Sequence, residues 1–184
     1  CPVVYIQSAD VPSDVKKKNS QLLENLLRVV LQNGKQESFF NYRMRALNYP
    51  EMAQRISERI ELLFREIDGY FSQTNKHVEI DKVRNLLVFR EQGGDVIELE
   101  MLSAGEKHLL YILLTVFLMD DKPTVLLMDE PELSLHIEWQ EKLIKSIRLL
   151  NPKCQIILTT HSPSIFVSGW ESKLVYIEDL FIKI

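Results

Sequence analysis

Three short segments combine residue types and spacings that suit phosphate chemistry. The run Val125-Leu126-Leu127-Met128 is wholly apolar and ends in Asp129-Glu130-Pro131. Adjacent carboxylates at the end of a buried strand are costly unless a charged group requires them. The first acid suits a Mg²⁺ ion on a phosphate, and the second is placed to deprotonate a water. A second apolar run, Ile156-Ile157-Leu158, ends in Thr159-Thr160-His161-Ser162-Pro163. A neutral imidazole there can donate to a phosphate oxygen or hold a water. In the third segment, Leu102-Ser103-Ala104-Gly105-Glu106-Lys107, Ser103 and Glu106 have capping-box spacing. A helix start with small residues offers free N–H groups and a positive dipole end to an anion, and Gly105 admits a close approach. Each segment has a plainer reading taken singly: an acidic turn, a structural histidine, a well-capped helix.

The elements that must position these residues are legible from periodicity. Residues 104–119 are apolar nearly all round and predict a buried helix ended by Asp120-Asp121-Lys122-Pro123. Helices at 104–119 and 137–150 alternate with apolar strands at 125–128 and 155–159, which predicts an α/β fold. Its sheet should be mostly parallel, with helices on its faces. In such a sheet ligands gather at the C-terminal strand ends, where Asp129, Glu130 and His161 fall. Upstream, Val3–Ile6 reads as a buried strand, and Pro12-Ser13 lies in a turn-rich stretch. Residues 14–32 read as an amphipathic helix stopped by Asn33-Gly34. Residues 35–50 show no clear period. A helix follows from Glu51 to Tyr70 or Phe71, its charged face reading as solvated surface. Alternating segments at 84–90 and 95–101, joined by Gln92-Gly93-Gly94, predict a hairpin. Ser168-Gly169 and Leu174–Ile177 read as a turn and a last strand.

In order and approximate spacing the three segments resemble those of the ABC-type ATPase family. Leu102–Lys107 looks like its signature motif, Val125–Glu130 like its Walker B strand and catalytic glutamate, Ser134-Leu135-His136 like its D-loop, and His161 like its switch histidine. The wording Asp129-Glu130-Pro131-Glu132-Leu133-Ser134-Leu135-His136 is similar to the AAA_21/OLD-like branch. The resemblance is strong over residues 101–166. It implies a P-loop NTPase-like fold divided as a core strand and loop at 1–13, a helical insertion at 14–75 and a C-terminal ATPase half at 76–184. It also implies ATP and Mg²⁺ as cofactors, bound in a head-to-tail homodimer. Asp129 then holds Mg²⁺, and Glu130 and His161 are catalytic. Ser103, Ala104, Gly105 and Glu106 form the signature contact to nucleotide on the other protomer, while Ser134 and His136 communicate across the interface. The branch further implies a nuclease-type effector in bacterial defence or DNA processing, with nucleic acid left open as a partner.

The chain departs from the family in one large respect: no Gly-x-x-x-x-Gly-Lys-Ser/Thr occurs in its 184 residues. The expectation is therefore a P-loop supplied by a missing N-terminal segment, with little activity in this chain alone. A non-hydrolysing interaction module that retains the motifs is the competing reading. The family's glutamine loop is not identifiable, Ala104 stands where glycine is commonest, and Ile137 stands where proline is frequent. Bulk properties agree with a globular domain: 46% hydrophobic and 26% charged residues, with a net charge of −4 that argues against a basic nucleic-acid-binding domain. Two cysteines make no disulfide framework, and no apolar run approaches the ~20 residues of a membrane span. A reducing, cytoplasmic setting is expected.

Overall fold

The structure, a computed structural model, describes residues 1–7, 20–31, 37–91, 93–167 and 169–180. The turn expected at Pro12-Ser13, the first residues of the helix expected over 14–32, its stop at Asn33-Gly34, and Gln92 and Ser168 lie outside them. In chain order the elements are β1 (Val3–Ile6), α1 (Gln21–Leu31), α2 (Phe39–Asn48), α3 (Ala53–Phe71), β2 (Lys76–Ile80), β3 (Leu87–Glu91), β4 (Val96–Ile97), α4 (Ala104–Leu118), β5 (Thr124–Asp129), α5 (Ile137–Leu150), β6 (Cys154–Thr159) and α6 (Ile177–Leu180). They build an α/β fold around two three-stranded sheets.

The parallel sheet has the order β1-β5-β6, with Ile6 beside Met128 and Asp129 beside Thr159. The strands are apolar on both faces because a parallel sheet is ordinarily covered on both. Among the described residues one face is covered. Ile6, Leu126 and Met128 join a single core with Leu109, Ile112 and Leu113 of α4 and Leu143 and Ile147 of α5. The opposite face carries Val3 and Tyr5, 61% and 57% exposed, and Ile157 at 51%. The expectation of a buried first strand is therefore corrected. Of β1 only Ile6 is buried.

The second sheet is antiparallel, β2-β3-β4, and packs Val78, Leu87, Phe89 and Ile97 into the same core. The hairpin was legible, but β4 is only two residues long and Leu99–Met101 is a 3₁₀ turn. Strand β2 and helix α2 had no sequence signal assigned. The terminal strand expected at 174–177 is absent: Ile177–Leu180 is a short exposed helix.

α4 is the centre of the molecule. Ten of its residues are buried, and α1, α2, α3 and α5 all lie against it. Burying a leucine or phenylalanine side chain contributes about 1.5–3 kcal/mol each, so this helix anchors much of the fold. Its C-terminal end is turned by Asp120 and Asp121, both left-handed at φ 52° and 58°. Arg59 of α3 closes that end. Its guanidinium meets Asp121 at 2.6 Å and donates to the Phe117 and Leu150 carbonyls at 3.0 and 3.3 Å, the last turns of α4 and α5. A cation at two helix C-termini complements both dipoles.

Candidate functional site

The strand tips bring the expected acids and the histidine together. Asp129 ends β5, and the Thr159 hydroxyl on the neighbouring strand donates to its Oδ1 at 2.5 Å. The Glu130 amide donates to the Thr159 carbonyl at 3.0 Å, which carries the ladder one residue past the strand. Glu130 then turns at φ 44° and Ser134 at φ 67°. Two non-glycine residues in the left-handed region within five positions store backbone strain, a feature concentrated at functional sites. The turn delivers the Glu130 carboxylate to within 3.3 Å of His161 Nε2. The imidazole is 90% exposed, and the carboxylate is about one-third exposed. A carboxylate and an imidazole edge thus lie side by side facing solvent, an arrangement able to hold and deprotonate a water.

The segment Ser103–Lys107 forms the start of α4. The Ser103 hydroxyl accepts from the Glu106 amide at 3.2 Å, and the Glu106 carboxylate accepts from the Ser103 amide at 2.8 Å, a complete capping box. Ser103 and Ala104 are exposed, while Gly105 and Glu106 are buried. The cap leaves the Ala104 and Gly105 amides without partners among the described residues, at the positive end of the dipole. The carboxylate of Glu106 is committed inward. Its Oε1 takes Lys76 Nζ at 2.7 Å and the Thr74 hydroxyl at 3.2 Å. Burial alone pushes this carboxyl up, but the Lys76 hydrogen bond, the Ser103 amide and the Lys76 charge outweigh it and hold the pKa below its ordinary value.

The turn that carries Leu133 and Ser134 packs against the start of α4 within the same chain. A Cβ on Gly105 would collide with the Ser134 carbonyl oxygen, so the space that glycine opens is filled by this loop. His108, one turn on, places Nδ1 3.2 Å from the Leu133 carbonyl. His136 is exposed, and its carbonyl starts α5 by accepting the Trp139 and Gln140 amides at 2.9 and 3.2 Å. The described residues therefore show two groupings. Glu130 and His161 meet at the strand tips beside Asp129, which is held by Thr159, and Gly105 meets Ser134 at the start of α4. The turn 130–135 connects them.

Several residues outside the expected set take part. Thr159 fixes Asp129, as strand register alone indicates once β5 and β6 are paired. Glu132 is buried and accepts from the Thr160 hydroxyl and the His161 and Ser162 amides. Its signal was a third acid in an otherwise apolar turn. Gln140 joins the same loops, accepting from the Ser162 hydroxyl at 2.5 Å and donating to the Leu135 carbonyl at 2.9 Å.

No group of three or more His, Cys, Asp or Glu able to enclose a metal occurs among the described residues. Asp129 nevertheless fits Mg²⁺, which usually takes one or two carboxylates and completes its shell with water and phosphate oxygens. For ATP the residues present fit the phosphate end, through the two unpartnered amides at the start of α4. No described helix is long and apolar enough to cross a membrane.

Comparison with known proteins gives a family and several similar proteins. The model of the AAA_21 family, described as "AAA domain, putative AbiEii toxin, Type IV TA system", matches residues 10–168. The Septu protein PtuA of Bacillus thuringiensis is 34% identical over 102 residues, covering 48% of this chain and 26% of that protein. The "Retron Vc95 probable ATPase" of Vibrio cholerae serotype O1 biovar El Tor is 26% identical over 136 residues, covering 68% of this chain and 25% of that protein. The chain thus spans about a quarter of the length of these curated relatives. Among solved structures, an Smc head bound to the C-terminal winged-helix domain of ScpA is similar at 15% identity and a TM-score of 0.48, over 79% of this chain and 47% of that one. An SMC head domain from Thermotoga maritima is similar at 22% identity and a TM-score of 0.44, over 70% and 44%. With its strand-tip acids, its capped helix start and a family match over most of its length, the chain belongs to the AAA_21 family.

Proposed function

We propose that the chain carries the hydrolytic half of an ABC-type ATPase site and works as a head-to-tail homodimer completed by a P-loop-bearing segment. The observation that carries the reading is the Glu130 carboxylate, held by a left-handed turn beyond a parallel strand with His161 Nε2 3.3 Å away. Bound Mg²⁺–ATP supplies the phosphoanhydride to be cleaved and the positive charge that offsets its phosphates. Asp129 would hold the ion. Glu130 accepts the proton of the attacking water at its carboxylate, and His161 steadies that water and the terminal phosphate. The Ala104 and Gly105 amides, with the exposed Ser103, face the nucleotide of the other protomer. Glu106 acts from behind by tightening the cap. Ser134 and His136, on the loop packed against Gly105, report across the interface.

The same reading gives the uncovered face of the parallel sheet an occupant. Val3, Tyr5 and Ile157 form the apolar surface on which the P-loop-bearing segment would pack. Residues 14–75 act as a helical insertion between the conserved halves. The retron relative's name carries an ATPase, and the family description carries a toxin–antitoxin system. These support a regulatory ATPase; control of a nuclease-type effector in bacterial defence, in a cytoplasmic setting, belongs to the same proposal.

The test is Glu130→Gln in the complete protein. Turnover should fall on the order of a hundredfold or more, with ATP-bound dimers accumulating. Undiminished hydrolysis removes Glu130 from the general-base role. A folded wild-type complex that binds no ATP replaces this reading with a docking module that retains the motifs.

A further inference from the structure

Glu132 lies three residues after Asp129, inside the turn, and is 7% exposed. One of its oxygens, Oε1, gathers three donors from the neighbouring loop: the Thr160 hydroxyl at 2.6 Å, the His161 amide at 2.9 Å and the Ser162 amide at 3.2 Å. The other oxygen is buried without a hydrogen-bond partner among the described residues. Stability alone is a poor explanation for such a group. A buried carboxylate with one oxygen unsatisfied is unfavourable against an apolar side chain of similar volume. Its effect is geometric instead, because charge-assisted bonds from two successive amides and a hydroxyl fix the backbone at residues 160–162.

That backbone aims the His161 ring. The imidazole is almost fully exposed, so surrounding side chains do not pack it into one orientation. Its link to Glu130 Oε1 depends on where the main chain places it. Gln140 ties the far side, between the Ser162 hydroxyl and the Leu135 carbonyl. The turn 130–135 and the loop 160–162 therefore form one hydrogen-bonded unit, with Glu132 at its centre.

We propose that Glu132 is a positioning residue, which sets the distance between Glu130 and His161 by anchoring the backbone of residues 160–162. The role rests on the hydrolytic reading of the site. Glutamine keeps an acceptor oxygen where Oε1 stands and alanine removes it, so the two substitutions separate anchoring from mere occupancy.

Both variants are compared with the wild type in the complete ATPase, by kinetics and by hydrogen exchange resolved to short peptides. Glu132→Ala should speed exchange of the His161 and Ser162 amides at least about tenfold while the β5 amides keep their protection. It should lower kcat by about 10- to 100-fold with KM for ATP within about twofold. Glu132→Gln should recover both. The role is overturned if Glu132→Ala leaves kcat within twofold of wild type, or if the His161 and Ser162 amides stay protected. It is equally overturned if β5 loses protection along with them, which marks Glu132 as structural only. A wild-type ATPase that hydrolyses no ATP overturns the hydrolytic reading and this role with it. That failure is distinct, because Glu132→Ala would still speed exchange of the His161 and Ser162 amides.

Discussion

Gly105 stands near the start of α4, a place where alanine usually stabilises a helix by about 0.5–1 kcal/mol over glycine. Here the sign should reverse, because a Cβ would strike the Ser134 carbonyl oxygen, which is backbone and has little freedom to retreat. Gly105→Ala should destabilise the fold by about 1–3 kcal/mol, the usual range for overpacking. Urea unfolding measures it, and a gain in stability would mean that the turn 130–135 yields easily. This residue also shows what a sequence can hide. The Ser-Ala-Gly-Glu wording reveals a cap and a glycine. It does not reveal that the glycine's open side faces a loop some thirty residues downstream, since that contact exists only once α4 and the turn are packed. Glu132 is a third acid close to Asp129 and Glu130, but its role is hidden in the sequence because its partners sit on a different strand's loop.

Between elements, the ion pair of Lys76 with Glu106 joins the first residue of β2 to the first turn of α4 at 2.7 Å. It bolts the antiparallel sheet to the start of α4. Lys76→Ala strands a buried carboxylate and should cost about 1–3 kcal/mol at neutral pH. The pH dependence has a definite sign. Glu106 is held below its ordinary pKa of 4.5, so its contribution is fully present above that value and is lost as pH falls through the folded-state pKa. The stability gap between wild type and Lys76→Ala should therefore narrow below about pH 4.5, as chemical unfolding at pH 7 and pH 3.5 would show. A gap constant across that range assigns the loss to packing of the lysine stem. Elements with strong period were legible: α3, α4, α5, β5 and β6 fall within a few residues of their expected bounds. Helix α2 was not, because Phe39 and Tyr42 are its only buried residues and arginines fill the positions between later apolar ones. Strand β2 was not, since Lys76-His77-Val78-Glu79-Ile80 buries only Val78 and takes its identity from pairing with β3. The stretch 174–177 reads as a strand by its β-branched and aromatic residues, yet no neighbouring strand is present to pair with it among the described residues.

At the scale of the molecule, among the described residues the parallel sheet packs toward α4 and α5 on one face and exposes Val3, Tyr5 and Ile157 on the other. Apolar strands such as Val125–Met128 predict burial on both faces, and the sequence pattern is sound on that point. What it cannot carry is which segment supplies the second layer. If the P-loop-bearing segment packs there, Tyr5 and Ile157 are surface residues in the 184-residue chain and core residues in the complete ATPase. The double substitution Tyr5→Ser with Ile157→Ser should then shift the unfolding free energy of the isolated chain by less than about 1 kcal/mol, as exposed positions do. In the complete protein the same change should cost about 2–5 kcal/mol per truncated core side chain. Paired denaturation curves of the two forms measure the difference directly. Equal, small effects in both would leave the face open in the assembled protein and place the P-loop-bearing segment elsewhere. A large cost confined to the complete protein would put that segment over β1 and β6, beside the strand tips that carry Asp129, Glu130 and His161.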